Sequence, residues 1–232
     1  MSAPIDVSLQ RAIERLSSSY LLVDCRRIQP GDERGLMPEE ARSITSPLLR
    51  ARRASGAARA LGRELLERLG HAPCAIPRGG SGAPQWPTGF VGSFAHDGDI
   101  AVAAVALRHA FDTVGVDIEP AEPLPAELRE LVVTPSERPH LGDDPVHGRL
   151  LFAAKEAVYK AVAAREGLLL DYQDIDVDLA AKQARLRDGR SLDLRCAVSS
   201  YVVVLALKPE TVAPLVVTTA RRNSEPAAPP SP

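Results

Sequence analysis

Apolar and polar positions along this chain follow two rhythms. Short apolar-rich runs predict strands at residues 20–24, 90–95, 100–107 and 113–119, and again at 175–179, 192–198, 201–207 and 212–218. Longer stretches follow a helical period. Residues 38–70 open on Pro38 with Glu39 and Glu40, and close on Leu65, Leu66, Leu69 and then Gly70, as helix starts and stops do. Pro47 predicts a break within that stretch. A second helix is predicted over 145–166, stopping at Gly167, and 13–16 is weakly helical. Residues 71–89 carry Pro73, Pro77, Gly79, Gly80, Gly82, Pro84 and Pro87, and predict irregular chain. The order strand, long helix, strands therefore occurs twice. It predicts an α+β protein of two halves, 1–110 and 111–219, followed by a polar, proline-rich tail at 220–232 expected to be disordered.

Composition narrows the function classes. At 232 residues, 45% hydrophobic and 25% charged, the chain has the make-up of a globular protein with a sizeable core. A formal net charge of -2 argues against general affinity for nucleic acid or anionic membrane. Anion binding must then come from a local cluster, and Arg52, Arg53, Arg59 and Arg63 on the first long helix form one. Cys25, Cys74 and Cys196 are scattered, with no spacing that suggests a disulfide framework or a zinc site. Neither a signal-peptide core nor a membrane-length apolar run is found, so a cytoplasmic protein is expected.

Two segments carry candidate chemistry. In Gly115-Val-Asp-Ile-Glu119 the period of a strand puts Asp117 and Glu119 on one face, with Val116 and Ile118 turned to apolar packing. Two carboxylates facing one way repel unless a cation sits between them, and hard oxygen donors suit Mg²⁺. The second segment is Phe152-Ala-Ala-Lys-Glu-Ala-Val-Tyr-Lys-Ala161, where Glu156 and Lys160 are neighbours one helical turn apart. Alone, the first segment reads more readily as a solvated strand end and the second as a surface ion pair.

Together they resemble the double signature of the 4′-phosphopantetheinyl transferases, G-[IV]-D-x-E followed by an aromatic-x-x-K-E-A-x-x-K helix. Gly82-Ala-Pro84 before Trp86-Pro87, and Gly92-Ser-Phe-Ala-His96, are similar to further blocks of that family, and the arginine helix is similar to its enterobactin-synthetase type. The chain length matches the long type of the family rather than the small trimeric synthases. The resemblance implies two similar α+β halves in a pseudo-twofold arrangement, with the active site in the cleft between them. It implies a monomer that transfers the 4′-phosphopantetheine group of coenzyme A, its substrate, to a serine of an acyl or peptidyl carrier protein, as in polyketide, nonribosomal-peptide or siderophore assembly. Asp117, Glu119 and Glu156 match the ligands of Mg²⁺, with Mn²⁺ as the alternative ion. Glu156 also matches the base that deprotonates the serine, and Lys160 the lysine that steadies the departing phosphate. Arg52, Arg53, Arg59, Arg78, His96 and Lys155 match positions that bind the coenzyme. Ala95 replaces the usual Ser or Thr before the histidine, so one phosphate contact is expected to be missing.

Leu150, Leu151 and the 168–170 leucine run predict an apolar landing surface for the carrier protein. Trp86 is expected to be a core anchor, and His71, His109, His140 and His147 show no partner pattern. Two other readings stay open at this level. One is a non-catalytic coenzyme A or carrier-protein binding module of the same fold; the other is a Mg²⁺-dependent phosphohydrolase.

Overall fold

The computed structural model describes residues 5–166 and 170–210. Its helices are α1 (Val7–Glu14), α2 (Pro38–Ser43), α3 (Leu49–Arg68), α4 (Ala126–Val132) and α5 (His147–Glu166). Its strands are β1 (Leu21–Arg27), β2 (Phe90–Asp97), β3 (Ile100–Leu107), β4 (Phe111–Pro120), β5 (Ile175–Asp178), β6 (Gln183–Leu186), β7 (Ser191–Val198) and β8 (Tyr201–Pro209). The break foreseen at Pro47 falls between α2 and α3. Gly70 takes the left-handed conformation (φ +85°) that ends α3, and the amides of Gly70 and His71 donate back to the carbonyls of Glu67 and Leu66.

Two antiparallel sheets form, one ordered β1-β3-β2 and the other β4-β8-β7-β6-β5. Both follow one rule: a strand precedes the long helix, the last strand of the half returns beside it, and the remaining strands follow outward. This shared order is the pseudo-twofold relation of two α+β halves.

Alternation of side chains then builds four layers. On β3, Ala103 and Val105 meet Leu61, Leu65 and Leu66 of α3, while Val102, Ala104 and Ala106 turn to the opposite face. On β8, Val202, Val204 and Ala206 meet Ala153, Ala154, Ala157 and Val158 of α5. Val203, Leu205 and Leu207 turn the other way and share one cluster with Val102, Ala104, Ala106, Val116 and Ile118. The halves are thus joined sheet to sheet through an apolar layer, with one long helix on each outer face.

Some sequence expectations need correcting. Helix α4 and strand β6 carry too few apolar residues to stand out in the sequence, and α1 lies at Val7–Glu14 rather than 13–16. The strand expected at 212–218, the 220–232 tail, Leu168 and Leu169 lie outside the described residues. Leu151 is buried in the core beneath α5 and Leu150 is only partly covered, so Leu151 offers no landing surface. No helix among the described residues is long and apolar enough to cross a membrane.

Candidate active site

A glycine sets the site. A Cβ on Gly115 would stand 1.9 Å from the carbonyl oxygen of Ala157, so only glycine lets β4 lie this close to α5. Gly115, Asp117 and Glu119 share that face of the strand, and both carboxylates accordingly reach residues of α5. Lys160 Nζ donates to Asp117 Oδ1 at 2.6 Å, and Arg149 Nη1 donates to Glu119 Oε2 at 2.9 Å. Glu156, on the same helix, accepts at Oε1 from the Tyr172 hydroxyl at 2.5 Å. The ion pair that helical spacing suggests between Glu156 and Lys160 is not the one formed.

Electrostatics tie the three carboxylates together. Burial pushes the Asp117 carboxyl up to about 7; Lys160 opposes this, while the charges of Glu119 and Glu156 add to it. Glu119 is raised by burial against the pull of Arg149, with Asp97 and Glu156 adding to the rise. Burial, the bond to Glu156 and the fields of Asp117 and Glu119 hold the Tyr172 phenol well above its ordinary range, so it stays a donor. Among the described residues no group of three or more His, Cys, Asp or Glu is drawn into a metal-holding cluster. Each carboxylate is instead turned onto its own partner. The donor chemistry nonetheless fits a hard dication, because Asp117 Oδ2 is buried without a hydrogen-bond partner among neighbours whose negative charges raise its pKa.

Beside the carboxylates lies a cavity of about 460 Å³ between the halves. Arg59, Arg78, Ser93 and His96 line it from one side, Tyr159 and Lys160 from the other. Arg59 is anchored by Nε donating to the Ile76 carbonyl at 2.8 Å, and its guanidinium lies 5.5 Å from the Phe94 ring centroid. Burial pulls its pKa down to about 10; Glu40 opposes this, and Arg78 and Arg63 lower it further. Such mutual repulsion between cations favours an anion. His96, at the rim, is pulled below its ordinary value by desolvation and then by the Lys160 charge. Glu156, Tyr159, Leu170 and Tyr172 line a second cavity of about 320 Å³.

The structure brings together Asp117, Glu119, Glu156 and Lys160, and on the adjoining wall Arg59, Arg78 and His96. Arg52 and Arg53 do not line this cavity; Arg53 pairs with Glu33 at 3.1 Å, and Arg63 is taken up by the buried carboxylate of Glu40 at 2.7 Å. Trp86 is partly buried, its indole donating to the Gly92 carbonyl and its ring tilted on Phe94.

Lys155 must be corrected. It is fully buried, with Nζ bonded to the carbonyls of Val132 (2.6 Å) and Tyr172 (3.0 Å) and paired with Glu137 (2.9 Å). Those partners use all three ammonium protons, leaving none for a phosphate. Neighbouring residues on a helix point about 100° apart, so Glu156 can face the cleft while Lys155 faces the core. Lys155→Met should therefore lower unfolding free energy by about 3–5 kcal/mol, since it strands a buried carboxylate. Denaturant titration checks this, with the coenzyme A KM of the folded fraction unchanged; a raised KM at wild-type stability would restore the phosphate role.

Arg149 and Tyr172 were missed. Arg149 had a signal, since it precedes Glu156 by seven residues and so shares its helix face. Tyr172 had none, because it reaches Glu156 from a separate turn.

Residues 39–106 match the family model of the 4′-phosphopantetheinyl transferase N-terminal domain, and residues 113–213 match that of the 4′-phosphopantetheinyl transferase superfamily. The chain is 38% identical to 4′-phosphopantetheinyl transferase Svp of Streptomyces mobaraensis over 191 residues, 74% of this chain and 78% of that protein. It is 42% identical to 4′-phosphopantetheinyl transferase Npt of Nocardia iowensis over 53% of this chain and 57% of Npt. It is 38% identical to 4′-phosphopantetheinyl transferase PptT of Mycobacterium tuberculosis (strain ATCC 25618 / H37Rv) over 54% of this chain and 57% of PptT.

Proposed function

This chain belongs to the 4′-phosphopantetheinyl transferase superfamily and is a transferase of that type, and from that premise we propose that it loads a serine of an apo acyl or peptidyl carrier protein. Coenzyme A is the donor and adenosine 3′,5′-bisphosphate the second product. The enzyme works as a cytoplasmic monomer, in the service of polyketide, nonribosomal-peptide or siderophore assembly. The observation that supports this reading best is Lys160, which pairs with Asp117 at 2.6 Å and also lines the arginine cavity. One cation thus serves both the carboxylate cluster and the anion-binding wall.

The chemistry follows from what these residues offer. Phosphoryl transfer asks a protein mainly for in-line placement and for compensation of charge on the phosphate oxygens. Arg59, Arg78 and His96 hold the adenosine end and its 3′-phosphate, and the planar guanidinium groups suit phosphate oxygens. Asp117, Glu119 and Glu156 would hold Mg²⁺, or Mn²⁺ in its place, which supplies charge neutralisation on the pyrophosphate. Glu156 takes the proton of the serine hydroxyl as its oxygen bonds to the β-phosphorus. The bond from that phosphorus to the bridging oxygen breaks, and Lys160 stabilises the negative charge left on the departing bisphosphate.

One adenosine 3′,5′-bisphosphate should appear for each arm attached, with no free phosphopantetheine, as followed by chromatography of the small molecules. Nucleotide released with free phosphopantetheine would make the protein a hydrolase instead, and no release at all would make it a binding module.

A further inference from the structure

Glu156 stands on α5 where helical spacing gives it Lys160 as a natural partner, yet Lys160 is committed to Asp117. A glutamate without that partner has three side-chain torsions to sample, which works against holding one productive geometry. The structure supplies a different restraint. Tyr172 Oη donates to Glu156 Oε1 at 2.5 Å, and no other hydrogen bond to this carboxylate is found among the described residues.

The phenol is itself held from several sides. Its backbone carbonyl accepts from the buried Lys155 ammonium at 3.0 Å. Its ring tilts on Phe152 with centroids 5.8 Å apart. Its single turn is closed by Asp171, whose side chain accepts from the Gln173 amide at 3.2 Å, and by Asp174, which accepts from the Asp171 amide at 2.9 Å. Gln173 ties the turn to the end of α4 through the Leu131 carbonyl at 2.8 Å. Tyrosine adds only two side-chain torsions of its own, so the hydroxyl lies at the end of a stiff arm.

We propose that Tyr172 is a positioning residue for Glu156: its hydroxyl holds Oε1 and so fixes the orientation of the carboxylate that takes the proton of the acceptor serine. The inference rests on the carrier-protein transferase reading given above. Lys155 belongs to the same device one step further back, as the buried post on which the Tyr172 turn is mounted. Tyr172 is thereby assigned a part in the rate of transfer, not in substrate affinity.

Tyr172→Phe tests it, because phenylalanine keeps the ring, the carbonyl bonded to Lys155 and the turn, and removes only the hydroxyl. Steady-state kinetics with coenzyme A and an apo carrier protein should show kcat lowered about ten-fold, as loss of a positioning contact does. Both KM values should stay within about two-fold, and the melting temperature should match wild type. In a Glu156→Gln background, measured by single turnover, the same change should have no further effect, because the group it positions no longer accepts a proton. Wild-type kcat in Tyr172→Phe would overturn the proposal. So would a raised KM at constant kcat, or an equal loss in both backgrounds, which would mean that Tyr172 acts independently of Glu156. These outcomes all presuppose a wild-type enzyme that attaches the arm. If wild type attaches none to any carrier, the functional reading fails first.

Discussion

Glu156→Gln should turn over roughly a hundred- to ten-thousand-fold more slowly than wild type, the span typical of removing a general base, while melting at nearly the same temperature. The two halves of that expectation come from one geometry. Glu156 is half-buried and forms no ion pair with Lys160; among the described residues its hydrogen bond is the one from Tyr172. The glutamine carbonyl can still accept that bond, so the fold loses little. What disappears is proton acceptance and the negative charge whose field reaches Asp117 and Glu119. The measurement is a steady-state assay at several Mg²⁺ concentrations beside a thermal melt. Near-normal turnover with a lowered melting point would mean that Glu156 is a structural side chain, and the mechanism would be wrong.

Asp117→Asn should abolish transfer and yet leave the protein at least as stable near pH 8 in the absence of divalent cations. Folding raises the Asp117 pKa from 3.8 to about 7, so the folded state favours its protonated form. The stability linked to that proton is fully present below 3.8 and is lost as pH rises through about 7. Asparagine does not ionise, and the variant should gain on wild type across that window. Added Mg²⁺ should raise the melting temperature of wild type and not that of the variant, because only the carboxylate has an uncompensated buried oxygen to offer. Activity within a few fold of wild type, or an equal Mg²⁺ response in both proteins, would contradict the assignment of Asp117 as a ligand.

How far the sequence foretold this depends on the range of each interaction. The strand period placed Asp117 and Glu119 on one face, and Gly115 marks the close approach that turns this face to α5. The helical period set Glu156 one turn from Lys160. It did not tell which carboxylate Lys160 would choose, since Asp117 comes from another element. Lys155 shows the same blindness in sharper form. The resemblance gave Lys155 a coenzyme-binding position, and only the fold reveals that Glu137 and two carbonyls already use its protons. The arginine helix divided likewise: Arg59 reaches the cavity, while Arg53 and Arg63 are taken by Glu33 and Glu40, acids that lie before α3 in the chain. Apolar alternation gave the layers because each buried strand face is a local property. Helix α4 buries only Val132, and strand β6 (Gln183–Leu186) turns only Ala184 and Leu186 inward, so neither shows the apolar period that Ile175, Val177 and Leu179 give the equally short β5.

Whether this chain joins a coenzyme A fragment to a carrier-protein serine can be read from the intact mass of the acceptor. Purified protein, coenzyme A and Mg²⁺ would be mixed with a panel of apo acyl and peptidyl carrier proteins, each beside a variant with its acceptor serine changed to alanine. At least one carrier should gain the mass of a single phosphopantetheine arm, its serine-to-alanine variant should gain nothing, and chelating the metal should stop the reaction. Carriers that all keep their apo mass while coenzyme A is bound or hydrolysed would contradict that transfer.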